Sequence, residues 1–294
     1  MFYRRKIILA LIDLLGGELE KIRFQKLLFL YSMKKKNPEY DFVPYKFGCY
    51  SYSAKADMNT MVKKELLSEN ESSYIKLDQT SYFGKLKKED QNTLRQVVLD
   101  YGSMSSSTLV KHTYLNFPFY AINSTISNDV LLGKLHDRID NATPKINSKG
   151  LYTLGYEGIS LEKYLQKLII NNIKLLIDVR KNPLSMKFGF SKTLLKRYCN
   201  SLGIDYLHIP NVGISSDKRR ELNSQLDYDN LFEDYKQTTL KETKTEQVKI
   251  LDLIDQYDRV ALTCFEAKPC QCHRTHLAES VTNLPSFSYA LSHL

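Results

Sequence analysis

The sequence contains no apolar run that approaches the roughly 20 residues needed to cross a bilayer. It also lacks a phosphate-binding P-loop and the G-x-G-x-x-G fingerprint of dinucleotide-binding folds. Its five cysteines are an odd number, and three of them cluster near the C-terminus, which is unlike the disulfide framework of a small secreted protein. We therefore predict a protein of the reducing cytoplasm that does not associate with membranes.

The charge balance is basic, with 42 Lys and Arg against 33 Asp and Glu, for a net charge of +9. Such an excess favours a polyanionic partner, such as nucleic acid, a nucleotide or an anionic surface. It is equally compatible with a lysine-rich solvated surface that has no such partner. A hydrophobic fraction of 43% is enough for packed cores, and 294 residues suit two domains.

The first hundred residues are dominated by helical periodicity. Residues 4–15, 22–33 and 53–67 each repeat apolar side chains at helical spacing, and a short apolar segment at 74–77 follows them. This order predicts a mainly helical domain over residues 1–115, of the helix-turn-helix or winged-helix type.

Residues 116–149 are rich in Asn, Ser and Thr and contain Pro118 and Pro144. We interpret this stretch as a linker between two domains. The second domain is then expected over residues 150–294.

The N-terminal region resembles the Panacea domain of bacterial antitoxins through two short motifs. The first is Gln25-Lys26-Leu27-Leu28-Phe29-Leu30, and the second is Tyr45-Lys46-Phe47-Gly48-Cys49-Tyr50-Ser51, in which Cys49 replaces a proline. The resemblance covers about the first hundred residues. The partner of this domain is expected to be nucleic acid, another protein or a second copy of the chain.

Apolar strands and helices alternate in the second domain. Residues 152–155, 174–179 and 259–263 read as buried strands, with helices between them. This alternation predicts a parallel-sheet, Rossmann-like α/β domain. Because chemistry collects at the carboxyl ends of parallel strands, we expect the polar clusters at 155–158, 178–180, 264–266 and 272–274 to meet at one sheet edge.

Ordered motifs make this domain resemble the bacterial domain-of-unknown-function family 488 (DUF-488). The motifs are Thr153-Leu154-Gly155-Tyr156-Glu157-Gly158-Ile159-Ser160, Asp178-Val179-Arg180-Lys181-Asn182-Pro183-Leu184-Ser185, Phe190 to Leu195, Tyr206 to Gly213, and Cys264-Phe265-Glu266 with Cys272-His273-Arg274. The resemblance implies an α/β fold, a polar site at the strand ends and a setting in DNA modification or phage defence. It supplies no established reaction.

Three carboxylates in these motifs are candidates for acid and base chemistry, namely Glu157, Asp178 and Glu266. Arg180 and Arg274 are candidates for holding a substrate phosphate or carboxylate, because guanidinium groups bind such anions bidentately. An equally weighted alternative makes Asp178 and Arg180 an ion pair that braces a loop.

Further candidates for substrate binding are Gly155, Tyr156, Gly158 and His273. The glycines allow a substrate to approach the backbone of the turn around Glu157.

Cys272 is the candidate nucleophile, because a helix that begins there would lower the pKa of its thiol. The alternative is a small buried cysteine at a strand–helix junction. The spacing C-x5-C-x-C-H over Cys264, Cys270, Cys272 and His273 departs from the knuckles of structural zinc sites. Neighbouring Cys272 and His273 would also strain one tetrahedron, so we predict neither zinc nor any other cofactor.

Two functions follow from these features. The first is an enzyme that hydrolyses a glycosidic or phosphoester bond in nucleic acid or a nucleotide, which the basic N-terminal domain would deliver to DNA. The second is a non-catalytic DNA-binding or antitoxin-like regulator whose α/β domain senses a ligand. A thiol-based transferase that uses Cys272 is a third alternative.

Overall fold

In a computed structural model the chain divides between Thr143 and Pro144 into two units with separate cores. The structure describes residues 1–215, 217–219, 222 and 224–294. The boundary falls inside the stretch 116–149 that the sequence predicts to be a linker.

The first unit is built mainly of helices, as the sequence predicts. They are α1 (Tyr3–Leu14), α2 (Lys21–Met33), α3 (Tyr52–Lys63), α4 (Lys88–Tyr101), α5 (Ser106–Asn116), α6 (Ser127–Val130) and α7 (Asp137–Ala142). Every residue of α2 from Phe24 to Ser32 is buried. Since a helix that is buried all round must lie inside the fold, α2 is the central element of this unit.

Short strands complete the first unit. The strands β1 (Glu18–Glu20), β4 (Leu67–Glu69) and β5 (Ser73–Lys76) form an antiparallel sheet in the order β1-β5-β4. The hairpin β4–β5 follows α3 and contains part of the segment predicted to resemble a wing. The strands β2 (Val43–Tyr45) and β3 (Gly48–Tyr50) form a second hairpin, which overlaps the motif from Tyr45 to Ser51.

Most of the predicted linker is folded. Ala121, Leu131 and Ile139 are buried and pack with Val110 and Tyr114 of α5 in a small apolar cluster. The segment is therefore part of the first unit up to Thr143. Its apolar residues are too few and too irregularly spaced to produce a periodic pattern in the sequence.

The second unit contains a parallel sheet, which confirms the predicted α/β fold. Within the described residues its strands are β6 (Gly150–Gly155), β7 (Leu175–Asp178), β8 (Asp205–His208), β9 (Arg259–Cys264) and β10 (Ala290–His293). They pair in the order β10-β6-β9-β7-β8, with every neighbouring pair parallel. All residues of β6, β7 and β9 are buried, as expected of central strands covered on both faces.

Helices connect these strands. They are α8 (Leu161–Ile170), α9 (Lys192–Asn200), α10 (Gln225–Gln237), α11 (Thr239–Glu242), α12 (Lys244–Tyr257) and α13 (His273–Thr282). Among the residues that the structure describes, no helix has the length and apolar character needed to span a membrane.

Candidate functional site

The four predicted polar clusters meet at the carboxyl edge of the sheet. The backbone N–H groups of Tyr156 and Glu157, which follow β6, donate to the carbonyl of Phe265, which follows β9, at 3.1 and 2.9 Å. The imidazole of His273 joins this group, since its Nε2 lies 3.1 Å from the carbonyl oxygen of Val179 after β7. The loops after three strands and the start of α13 therefore form one continuous structure.

Two glycines allow these loops to pack closely. A Cβ atom on Gly155 would lie 1.9 Å from the carbonyl oxygen of Glu266, and one on Gly213 would lie 2.3 Å from the backbone nitrogen of Lys181. Any side chain at either position would force the two loops apart. Gly158 lies in the exposed turn after Glu157 and has a φ of +74°.

Asp178 and Arg180 form a buried bidentate ion pair. Nε and Nη2 of Arg180 donate to the two carboxylate oxygens of Asp178 at 2.8 and 2.5 Å, and Tyr206 donates to the same carboxylate at 2.6 Å. Burial lowers the pKa of Arg180, but the hydrogen bonds and charge of Asp178 outweigh this effect and raise that pKa above its ordinary range.

The remaining donors of Arg180 are also engaged. Its Nη1 donates to the hydroxyl of Tyr156 at 2.7 Å and to the carbonyl of Phe190 at 2.9 Å. The ring of Tyr156 stacks on that of Phe190 with centroids 4.2 Å apart. Arg180 thus braces the loops around the site, and its guanidinium has little capacity left for a substrate anion.

Arg274 has a similar role in the loop after β9. Its Nη1 donates to the carbonyl of Glu266 and its Nη2 to that of Ala267, and the residue is 1% exposed. Its Nε finds no acceptor among the described residues. The guanidinium therefore fixes the 266–267 loop to the start of α13.

A cavity of about 280 Å³ opens at this edge of the sheet. It is lined by Tyr156, Arg180, Lys181, Asn182, Leu184, Ser185, Ile214, Cys264, Phe265 and His273. Lys181 and Asn182 are exposed and supply a cation and an amide at its rim.

The three candidate carboxylates lie in different environments. Asp178 is fully buried, and both of its carboxylate oxygens accept hydrogen bonds, which come from Arg180 and Tyr206. Glu157 is exposed and accepts a hydrogen bond from the backbone nitrogen of Ala267 at 3.0 Å. Glu266 is half-buried, and its Oε2 accepts from the thiol of Cys264 at 3.2 Å. Of the three, Glu266 combines partial exposure with contact to a residue that lines the cavity.

Sulfur and imidazole groups form a buried cluster at the wall of the cavity. Cys264 ends β9, Cys272 is the N-cap of α13 and His273 is its first residue. The ligand atoms of all three lie within 4.8 Å of one another, and Sγ of Cys264 is 3.6 Å from Nδ1 of His273. A helix that begins at Cys272 would be expected to lower the pKa of its thiol, yet burial, with a smaller contribution from Cys264, raises the pKa of the Cys272 thiol well above its ordinary value.

Comparison with known families identifies the second unit. A family model, Domain of unknown function DUF488, matches residues 160–281. The C-terminal half of the chain carries a DUF488 domain. No curated protein matches the sequence. The resemblance of the N-terminal region to the Panacea domain stays a prediction.

The cavity in this domain is lined by residues that sequence reasoning missed. Lys181, Asn182 and Ser185 line the cavity, although only the flanking Asp178 and Arg180 were singled out as candidates. They belong to the Asp178–Ser185 motif, in the loop directly after β7. Their position after a strand end was the signal that could have identified them.

Proposed function

We propose that this protein hydrolyses a glycosidic or phosphoester bond in nucleic acid or a nucleotide, with the DUF488 domain as the catalytic unit. The observation that carries the proposal is the cavity at the carboxyl edge of the parallel sheet, which has a basic and polar rim and is lined by Cys264, whose thiol contacts the carboxylate of Glu266. Ligands of open α/β sheets bind at this edge.

The rim supplies groups suited to a phosphate. Lys181 provides an exposed ammonium group, and Asn182 and Ser185 provide neutral hydrogen-bonding groups. Lysine binds phosphate as a point charge, and amides and hydroxyls orient it. The sequence assigns the binding of a substrate anion to Arg180 and Arg274, but both guanidinium groups donate to acceptors within the chain. We therefore assign anion binding to Lys181, Asn182 and Ser185 instead.

Glu266 is the best-placed residue for proton transfer. Its carboxylate contacts Cys264, which is a residue of the cavity wall. The carboxylate of Asp178, in contrast, is buried in an ion pair with Arg180. We assign Glu266 the role of general acid or base. The carboxylate of Glu157 accepts from the backbone nitrogen of Ala267 and so fixes the loop at 266–267. Asp178 and Arg180 then act as positioning residues.

The test is a comparison of Glu266→Gln with the wild-type protein against single- and double-stranded oligonucleotides, nucleosides and nucleotides. Products are separated by mass, so that base release and phosphoester cleavage are distinguished. We expect Glu266→Gln to lose about 10²–10⁴-fold in rate, which is the usual contribution of general acid–base catalysis.

The matched control is Glu233→Gln, an exposed carboxylate on α10 that we expect to leave the rate unchanged. Equal rates for wild type and Glu266→Gln would remove Glu266 from the chemistry. Absence of hydrolysis across the whole panel would contradict the proposal.

A specific observation favours the regulator as the second candidate. The charged groups of Asp178, Arg180 and Arg274 form hydrogen bonds with other groups of the same chain. Such contacts are typical of residues that stabilise a fold rather than of a catalytic centre. A regulator would bind DNA through the helical unit, and cells that express Glu266→Gln would show the same phenotype, such as toxicity, as cells that express the wild type. Loss of the phenotype in that variant, with DNA binding intact, favours the enzyme.

A further inference from the structure

We infer that Cys264, Cys272 and His273 bind a zinc ion, with the fourth coordination position open to the cavity. The three residues come from the end of β9 and the start of α13. All three are buried, and their ligand atoms lie within 4.8 Å of one another.

The separation between the ligand atoms of Cys264 and His273 fits a tetrahedral ion. Zinc–sulfur and zinc–nitrogen bonds of about 2.3 and 2.05 Å at a tetrahedral angle place the two ligand atoms about 3.6 Å apart. Sγ of Cys264 and Nδ1 of His273 are 3.6 Å apart. An ion can therefore bind both atoms without a change in their separation.

The surroundings of His273 determine which of its two ring nitrogens carries the proton. Its Nε2 lies 3.1 Å from the carbonyl oxygen of Val179, so this nitrogen carries the proton and donates. The lone pair of Nδ1 then faces Cys264. Histidine ligands of metals usually donate their other ring N–H to a carbonyl or carboxylate, and this contact is of that kind.

The prediction of no zinc rested on a four-ligand set that included Cys270 and on the strain of neighbouring ligands. Cys270 is exposed and lies outside the cluster. The extended backbone of Cys272 and the helical start at His273 bring both side chains toward Cys264 despite their adjacency. Three protein ligands are the number typical of catalytic rather than structural zinc.

The open position gives the site a chemical role, which rests on the proposed function. Cys264 and His273 line the cavity, so water bound at the fourth position would face a substrate there. Zinc lowers the pKa of bound water to about 7 and makes it a nucleophile. Zinc binding would release the thiol proton that Cys264 donates to Glu266, and the Glu266 carboxylate would then accept the proton of the bound water instead. The water oxygen would bond to phosphorus or the anomeric carbon, the bond to the leaving group would break, and Glu266 would pass the water proton to the leaving group.

The first test measures zinc and cobalt in the purified full-length protein. We expect about one zinc per chain, and a cobalt-substituted protein with the charge-transfer absorption of thiolate ligands. Cys264→Ser, Cys272→Ser and His273→Ala are each expected to lower zinc content several-fold. Cys270→Ser is the matched control and is expected to retain it.

The cobalt spectrum of the wild-type protein keeps the test valid if buried variants fail to fold. A folded protein without zinc and without the thiolate absorption would overturn the site, and so would loss of metal in Cys270→Ser. Bound zinc in a protein that hydrolyses nothing would support the site and contradict only the proposed function.

Discussion

Asp178 is the residue on which the geometry of the site depends most directly. It is 0% exposed, and its carboxylate neutralises Arg180, which in turn fixes Tyr156 and the carbonyl of Phe190. We expect Asp178→Ala to lower the free energy of unfolding by about 3–5 kcal/mol, because it leaves a buried guanidinium without its counter-ion. Urea denaturation followed by circular dichroism measures this loss.

The control for Asp178 is Asp205→Ala, an exposed carboxylate at the start of β8 that accepts from Tyr257 at 3.0 Å. We expect it to change stability by no more than about 0.5 kcal/mol. If Asp178→Ala were equally mild, the ion pair would not brace the site, and its carboxylate would return as a candidate for chemistry.

The partners of individual residues lay beyond sequence analysis. The motifs correctly indicated which loops meet, because the strands and the positions of the motifs after them are visible in local patterns, and the carboxyl ends of parallel strands share one sheet edge. They could not indicate that Arg180 would meet the carbonyl of Phe190 or that Arg274 would meet that of Glu266. Backbone acceptors have no signature in the sequence, so a guanidinium that braces a loop looks the same as one that binds a ligand.

At the scale of elements, Asp90 joins three helices of the first unit. Its carboxylate on α4 accepts from Tyr3 of α1 at 2.5 Å, from Tyr31 of α2 at 2.7 Å and from the ammonium of Lys35. Burial raises the pKa of Asp90, but these hydrogen bonds and the charge of Lys35 outweigh it and lower that pKa below its ordinary value.

We expect Asp90→Asn to cost about 1.5–3 kcal/mol near neutral pH, because it removes hydrogen bonds to a charged acceptor. Since the folded pKa is depressed, the stabilisation is present above the unfolded pKa and is lost as pH falls through the folded one. Wild type and variant should therefore begin to converge as the pH falls below about 4, and become equal only below the depressed folded pKa. Unfolding free energies measured across this range check the prediction.

Asp100→Asn on the same helix is the control, since Asp100 is more exposed and meets Lys34 at 3.4 Å. We expect a loss below about 1 kcal/mol from this surface pair. A constant difference between wild type and Asp90→Asn down to acid pH would contradict the assigned role of the carboxylate charge.

Elements were predictable where burial imposed a pattern. The strands β6, β7 and β9 are buried throughout, so their apolar runs were visible in the sequence. The short helices α6 and α7 were harder to place: the sequence predicts one helix over 130–139, whereas the structure has two with other bounds. Each has at most one buried apolar residue, so neither produces a clear periodic pattern. A polar composition therefore indicated a linker where the chain is folded.

At the scale of the whole molecule, a net charge of +9 is carried by two units with separate cores. We expect the full chain to bind duplex DNA with little sequence preference, and its affinity to fall at least about tenfold between 50 and 200 mM salt through counterion release. Fluorescence anisotropy with a labelled duplex measures this dependence.

Glu266→Gln serves as the control and should bind DNA as the wild type does, because it changes no surface cation. Residues 144–294 alone are expected to bind more weakly if the helical unit delivers the protein to DNA. If the affinity did not change with salt, the prediction would be wrong. The basic charge would then belong to a solvated surface that has no nucleic-acid partner.

The strand β10 has a consequence for biosynthesis. It pairs with β6 at the edge of the sheet, although β6 precedes it by more than a hundred positions in the chain. During translation β6 must wait with one side uncovered until residues 290–293 leave the ribosome. Because bare strand edges recruit other chains, truncation just before β10 should yield a product that aggregates.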